Sequence, residues 1–140
     1  MSLRALVLGG SGALGGAVCR ALGASGARLA FTWHQGEAAV RSMASALPEA
    51  IALRVDASSV AELEAAVDQA ADRLGGLDAL VHCIGVAVVM ECAGSDSRHL
   101  MGSATEADWD RLIAINAKSA FFAVRRAVPT CSAPAAAASC

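Results

Sequence analysis

Tyrosine is absent from this chain, and aromatic residues of all kinds make up 4% of its 140 positions. A packed interior must therefore be built from Ala, Val, Leu and Ile, and no phenol is present to act as a proton donor. Positive charge is not in excess: 11 Lys and Arg stand against 13 Asp and Glu, for a formal net charge of -2. No basic stripe forms, which argues against nucleic-acid binding by phosphate neutralisation. The five cysteines (Cys19, Cys83, Cys92, Cys131, Cys140) form no C-x-x-C pair and no metal-ligand spacing with the three histidines. Their odd number in a chain that is not small and loop-rich reads as reduced, mostly buried thiols. Long apolar runs are missing too, so no membrane span is expected. Arg4 followed by apolar residues imitates a secretion signal, but the glycines from Gly9 to Gly16 are too many for a stable apolar helix. A soluble, cytoplasmic protein is expected.

What the chain does have is 56% hydrophobic residues, enough for one domain with a core of its own. Short apolar runs at 3–8, 28–33, 50–55 and 79–83 read as buried strands. Between them lie segments of helical period. In 14–22, Leu14, Ala17, Val18, Ala21 and Leu22 share one face; 37–47 is stopped by Pro48. Ser59 to Glu62 has capping-box spacing and opens a helix carrying Val60, Leu63, Val67, Ala70 and Leu74, ended by Gly75-Gly76. Residues 86–103 read as a surface loop. Thr105 and Asp108 then cap a helix from 106 to about 128, with Trp109, Leu112, Ile113, Phe121 and Val124 among its apolar positions. Strand and helix alternate throughout, which predicts an α/β fold: a doubly wound, Rossmann-like parallel sheet, incomplete on its C-terminal side. Residues 1–129 form this domain, and 130–140 read as a disordered tail.

Gly9-Gly10-Ser11-Gly12-Ala13-Leu14-Gly15 joins the first strand to the first helix. Glycine suits a tight turn, a close approach of phosphate to backbone, and close helix–sheet packing, and the helix start then offers its amides to an anion. A purely structural glycine turn is the bland alternative; its position at the head of an alternating chain favours dinucleotide binding. No Lys-Ser or Lys-Thr follows Gly15, which excludes the phosphate loop of NTPases. About 20 residues on, where an acid grips an adenosine ribose, the chain reads Thr32, Trp33, His34 and Gln35, and the first carboxylate is Glu37. A 2′-phosphate meets no repulsion there, so NADP is expected over NAD, with His34 or Arg41 near that phosphate. The missing acid also disfavours an S-adenosylmethionine methyltransferase.

With these residues in place, the chain resembles the short-chain dehydrogenase/reductase family over about residues 3 to 129. Leu8 to Gly15, including Gly9, Ser11, Gly12, Ala13 and Leu14, resembles its cofactor loop in the G-x-x-G-x-x-G variant. Asp56-Ala57 resembles the Asp-hydrophobic pair that holds adenine. His82-Cys83-Ile84-Gly85 falls where the family has N-N-A-G, with only the Gly kept, so Ile84 and Gly85 are carried over as cofactor contacts and the Asn brace is not. Asp108-Trp109, Ile113, Asn116 and Phe121 resemble the family's D-W … I … N … F helix, in which the Asn supports a proton-relay water and holds open a kink. Asn116 takes that role by resemblance, and an Asn within an apolar helix needs partners in any case.

The resemblance implies hydride transfer between NAD(P) and a small carbonyl or hydroxyl substrate, with homo-oligomers formed through the helix at 106–128. It also implies a Ser, a Tyr and a Lys four residues after that Tyr. This chain has no Tyr, and its last lysine is Lys118. A carbonyl reduced without an acid nearby leaves an unstabilised alkoxide, so no turnover is expected from this polypeptide. The alternative is a non-catalytic dinucleotide-binding or subunit-pairing module. The tail is consistent with truncation: back-translated from Pro129 with GC-ending codons and shifted by two bases, it reads H-L-L-R-P-G-G-G-G-V-V, as the family would there. A one-base frameshift is favoured over a natural Ala/Ser/Pro tail.

Overall fold

The computed structural model describes residues 2–86 and 104–131; most of the 86–103 loop and the tail from 132 onward lie outside the described residues. Strands β1 (Arg4–Leu8), β2 (Arg28–Trp33), β3 (Ile51–Arg54) and β4 (Ala79–His82) form one parallel sheet in the order β3-β2-β1-β4. The register pairs Leu6 with Ala30 and with Leu80, and Phe31 with Ala52. Helices α1 (Ala13–Ala24) and α2 (Glu37–Ala46) follow β1 and β2. Helix α3 (Val60–Leu74) follows β3, and α4 (Glu106–Ile113), a π turn (Ala114–Lys118) and α5 (Ser119–Ala127) come after β4. The α/β, doubly wound reading holds.

Alternation along the strands sorts the core into two layers. Ala5, Val7, Leu29 and Phe31 face Cys19 of α1 and Met43 of α2. Leu6, Leu8, Ala30 and Leu53 face α3 and α5, through Leu63, Val67, Ala70, Ala123 and Ala127. Each large apolar side chain withdrawn from water contributes about 1.5–3 kcal/mol, so these layers dominate stability. Alanines let α5 lie close on α3, and ion pairs rim the contact: Arg125 to Glu64 at 2.7 Å and Arg126 to Asp68 at 2.7 Å. At the amino edge of the sheet Arg4 grips the Asp78 carboxylate with two side-chain bonds of 2.9 and 2.6 Å, joining β1 to the start of β4.

Three expectations need correction. The apolar face assigned to α1 is displaced: Leu14 is 68% exposed, and Ala17 and Ala21 are exposed. Gly15, Gly16 and Cys19 are the residues that turn inward, because the helix sits too near the sheet to admit larger ones. The Ser59 cap is made, its side chain accepting from the Glu62 amide at 3.3 Å, but the Glu62 carboxylate does not return to Ser59. It accepts instead from the Asp56 amide at 2.8 Å. The long helix from 106 is not uniformly α; it widens into the π turn at its middle, and a 3-10 turn at Val128–Thr130 closes it. The Thr105–Asp108 capping box forms in both directions. In the first residues of the segment read as a tail, Thr130 accepts from the Leu77 amide at 3.2 Å and Cys131 bridges to Leu77.

Candidate functional site

The strand order reverses direction at β1, with β2 on one side and β4 on the other, and ligands of open α/β sheets bind outside the carboxyl ends of strands at such a point. The glycine turn occupies it. Gly9 takes φ +81°, where a side chain is strained, and its amide donates to Thr32 Oγ1 on β2 at 2.9 Å. A Cβ on Gly10 would stand 2.5 Å from that of Phe31, and one on Gly15 would stand 2.2 Å from the Gly9 carbonyl oxygen. The Phe31 side chain at one position and backbone at the other thus fill the space that side chains would need. Gly12 is the N-cap of α1 and has no side chain to cap that helix start, so among the described residues its first amides are left for an acceptor from elsewhere. Ser11, Ala13 and Leu14 line this turn on the solvent side, Leu14 exposed.

Across the cleft, β4 continues one residue further, the Cys83 amide donating to the Leu8 carbonyl at 2.8 Å. A Cβ on Gly9 would meet Cys83 O at 2.9 Å and Ile84 Cγ1 at 3.1 Å, so the glycine turn and Ile84 are in direct contact. Gly85 is exposed, and a Cβ there would lie 3.4 Å from Asn116 Oδ1. Asn116 sits in the π turn and holds Val86 with both ends of its amide: the Val86 amide donates to Oδ1 at 2.8 Å, and Nδ2 donates to the Val86 carbonyl at 2.8 Å. An Asn in a helix needs such partners, and the π turn supplies the angle that reaches them.

The flank beyond β2 carries the other predicted residues. Asp56 follows β3; its Oδ1 accepts from the Ser58 hydroxyl at 2.7 Å and the Ser58 amide at 2.9 Å. Those bonds, with a smaller contribution from the charge of His34, hold its carboxyl below the usual range, so it is an acceptor at neutral pH. Ala57 is partly buried beside it, and His34 is exposed at the end of β2. Arg41 is turned toward Glu37 at 3.5 Å on the same face of α2, both side chains well exposed. Arg54 was not singled out from sequence: its guanidinium lies 5.7 Å over the Trp33 ring at the carboxyl ends of β2 and β3. Thr32 was noted only as a non-acid; buried, it is the anchor of Gly9. A polar residue at the end of an otherwise apolar strand was the available signal. Cys19 lies under the turn, and burial, with Cys83 nearby, pushes its thiol up to about 11, leaving it unreactive at neutral pH.

A cradle closed to a Cβ at Gly10 and Gly15, a helix start whose N-cap has no side chain, and an ionised Asp at the neighbouring strand end fit the phosphates and the adenosine of a dinucleotide. Fold and site together define a Rossmann-like domain of the nucleotide-binding class. A family model described as enoyl-(acyl carrier protein) reductase matches residues 10–139. The chain belongs to the short-chain dehydrogenase/reductase family. It is 29% identical over 127 residues to a short chain dehydrogenase/reductase of Aspergillus aculeatus, covering 88% of this chain and 45% of that one. Among solved structures it is similar to the short-chain dehydrogenase/reductase of Serratia marcescens, at 30% identity and TM-score 0.80, covering 91% of this chain and 50% of the other. A short chain dehydrogenase from Burkholderia cenocepacia, solved in complex with NADP, superposes with TM-score 0.79 at 28% identity, over 93% and 51% of the two chains. The chain spans about half the length of the relatives it matches. Among the described residues no helix is long and apolar enough to cross a membrane.

Proposed function

We propose that this chain is the cofactor-binding half of an NADP-dependent oxidoreductase that moves hydride between the nicotinamide and a small carbonyl or hydroxyl substrate. The observation that carries the reading is the glycine turn at the switch point, shut to side chains by Phe31 and the Gly9 carbonyl and opening on an uncapped helix. The pyrophosphate lies on Gly9 to Gly15, adenine against Asp56 and Ala57, and the nicotinamide side along Ile84 and Gly85. When bound, the cofactor supplies or accepts the hydride. The chain's own part is to bind and orient it, and Asn116 holds the backbone at Val86 that borders the reacting end. With no Tyr present to protonate the substrate oxygen, the 140-residue chain binds without turnover.

The absence of a carboxylate at the end of β2, with His34 and Arg54 beside it, supports NADP over NAD. A 2′-phosphate there lies near the Arg54 guanidinium, and no carboxylate ends β2 to repel it. Calorimetric titration of the chain with NADPH and with NADH tests this. NADPH is expected to bind at least about tenfold tighter, which is 1.4 kcal/mol; equal or tighter binding of NADH refutes the NADP assignment.

A second reading, subunit pairing, is favoured by one observation. The outer face of α4, α5 and the 3-10 turn that follows exposes Trp109 at 64%, Phe121 at 63% and Val128 at 64%, with Val124 and Ile113 between. Contiguous apolar surface of this kind marks a contact face, and two copies meeting through the 106–128 helix would cover it. Sedimentation equilibrium is expected to give a dimer that Phe121→Glu dissociates; a monomer at all concentrations removes this reading.

A further inference from the structure

His82 ends β4, half-buried, and has no part in the cofactor contacts above. Its Nε2 lies 2.8 Å from Ser119 Oγ, 37 residues away in sequence. Ser119 is fully buried at the start of α5, where its hydroxyl donates to the Ile115 carbonyl. The Ser119 amide passes over Ile115 and bonds the Ala114 carbonyl, five residues back. The π turn closes on this substitution: the amide that an α-helix gives to the carbonyl four residues back goes one further, and the hydroxyl takes its place.

A serine hydroxyl has one proton, and Ser119 gives it to Ile115. The contact with His82 then requires the imidazole to donate, so Nε2 carries the hydrogen. The ordered chain Nε2–H to Oγ–H to O=C keeps the hydroxyl aimed at Ile115, because turning away sets its proton against the imidazole N–H. Asn116 is the next residue after Ile115, and it clasps Val86, four residues beyond His82. Two links therefore join the chain leaving β4 to the π turn and the start of α5, four residues apart on the first side and three on the second.

We propose that His82 is a positioning residue, which as its Nε2–H tautomer locks the π turn through Ser119 and so sets Asn116 against Val86. It stands where the family resemblance calls for an Asn brace, and it reaches the helix by a longer side chain. The bearing of this lock on hydride transfer rests on the oxidoreductase reading; the lock itself does not.

NMR of the labelled 140-residue chain without cofactor tests it, so the outcome is separate from the NADPH titration. Ring nitrogen shifts of His82 in the unmutated chain at about pH 7.5 are expected to show hydrogen on Nε2; hydrogen on Nδ1 overturns the proposal without any substitution. His82→Phe keeps a ring and removes the donor. The Asn116 side-chain amide is expected to move toward free-amide shifts and to exchange about tenfold faster, while the Val7 and Phe31 amides stay protected. His82→Gln, which carries an N–H on a similar reach, is expected to restore the Asn116 signature, and Ser119→Ala to abolish it even where His82→Phe does not fold. An Asn116 signature unchanged in His82→Phe or in Ser119→Ala, or not restored by His82→Gln, overturns the proposal.

Discussion

Two flanks meet at the carboxyl edge of this sheet, and they are held by opposite means. On the β1 side the backbone is positioned by missing side chains: Gly10 rests on Phe31 and Gly15 on the Gly9 carbonyl at distances where no Cβ fits. On the β4 side it is positioned by polar side chains that reach across the fold, Asn116 to Val86 and His82 to Ser119. The strands differ in the same sense. In β1, Ala5 to Leu8 are all fully buried, whereas every residue of β4 is only partly buried. A buried central strand needs little beyond packing, and the single bond from the Gly9 amide to Thr32, to fix its end. A half-exposed strand, lacking that constraint, has its end tied by hydrogen bonds instead.

If the β1 flank depends on close approach, adding one carbon should break it most. Gly15→Ala sets a Cβ 2.2 Å from a backbone oxygen that no rotamer can relieve. It is expected to cost about 2–3 kcal/mol in urea denaturation and to abolish NADPH binding; a variant of unchanged stability would show that the turn is looser than described. On the β4 flank the largest single effect belongs to Asn116→Ala. Losing two hydrogen bonds in a partly solvated place should cost about 1–2 kcal/mol. The Val86 amide should lose exchange protection while the β1 amides keep theirs, and a uniform loss of protection would contradict the independence of the two flanks.

The β4 flank also carries a pH response. Burial holds the His82 imidazole below its ordinary 6.5. As pH falls through 6.5 the unfolded chain takes up a proton that the folded chain refuses, so stability declines from there and levels off once the folded ring titrates. His82→Gln should remove this limb from the pH–stability curve. A second, more acidic limb belongs to Asp78, which Arg4 holds down to about 2; its contribution is complete above 3.8 and lost as pH falls from 3.8 toward 2. The smallest effect is expected at Arg41→Gln, whose exposed bond to Glu37 should be worth no more than about 0.5 kcal/mol. A larger loss in thermal unfolding would give α2 a role that its surface position does not suggest.

How far each flank is legible in the residues follows from the same contrast. A turn made by glycine announces itself, and Gly9 to Gly15 could be placed between a strand and a helix from spacing alone. The inward face of α1 could not, because hydrophobic periodicity scores Leu14 and Ala21 as core and treats Gly15 and Gly16 as gaps, when close approach makes the glycines the contact. Asn116 was reached through resemblance, and its unease in an apolar helix pointed the same way. The His82–Ser119 link had little local signal: His82 stands out only as a departure from the family's Asn, Ser119 does not stand out at all, and only the fold brings them within 2.8 Å. Glu62 shows a smaller instance. Its spacing from Ser59 promised a capping box, but the loop before α3 places the Asp56 amide where its carboxylate binds instead.

On the proposed reading, both flanks close on one dinucleotide. Amide shifts of the 140-residue chain titrated with NADPH test it most directly. Saturable shifts are expected at Gly12 and Gly15 together with Gly85 and Val86, and none at Arg4 or Asp78 on the opposite edge of the sheet. Shifts confined to one flank, or absent from both, would contradict it.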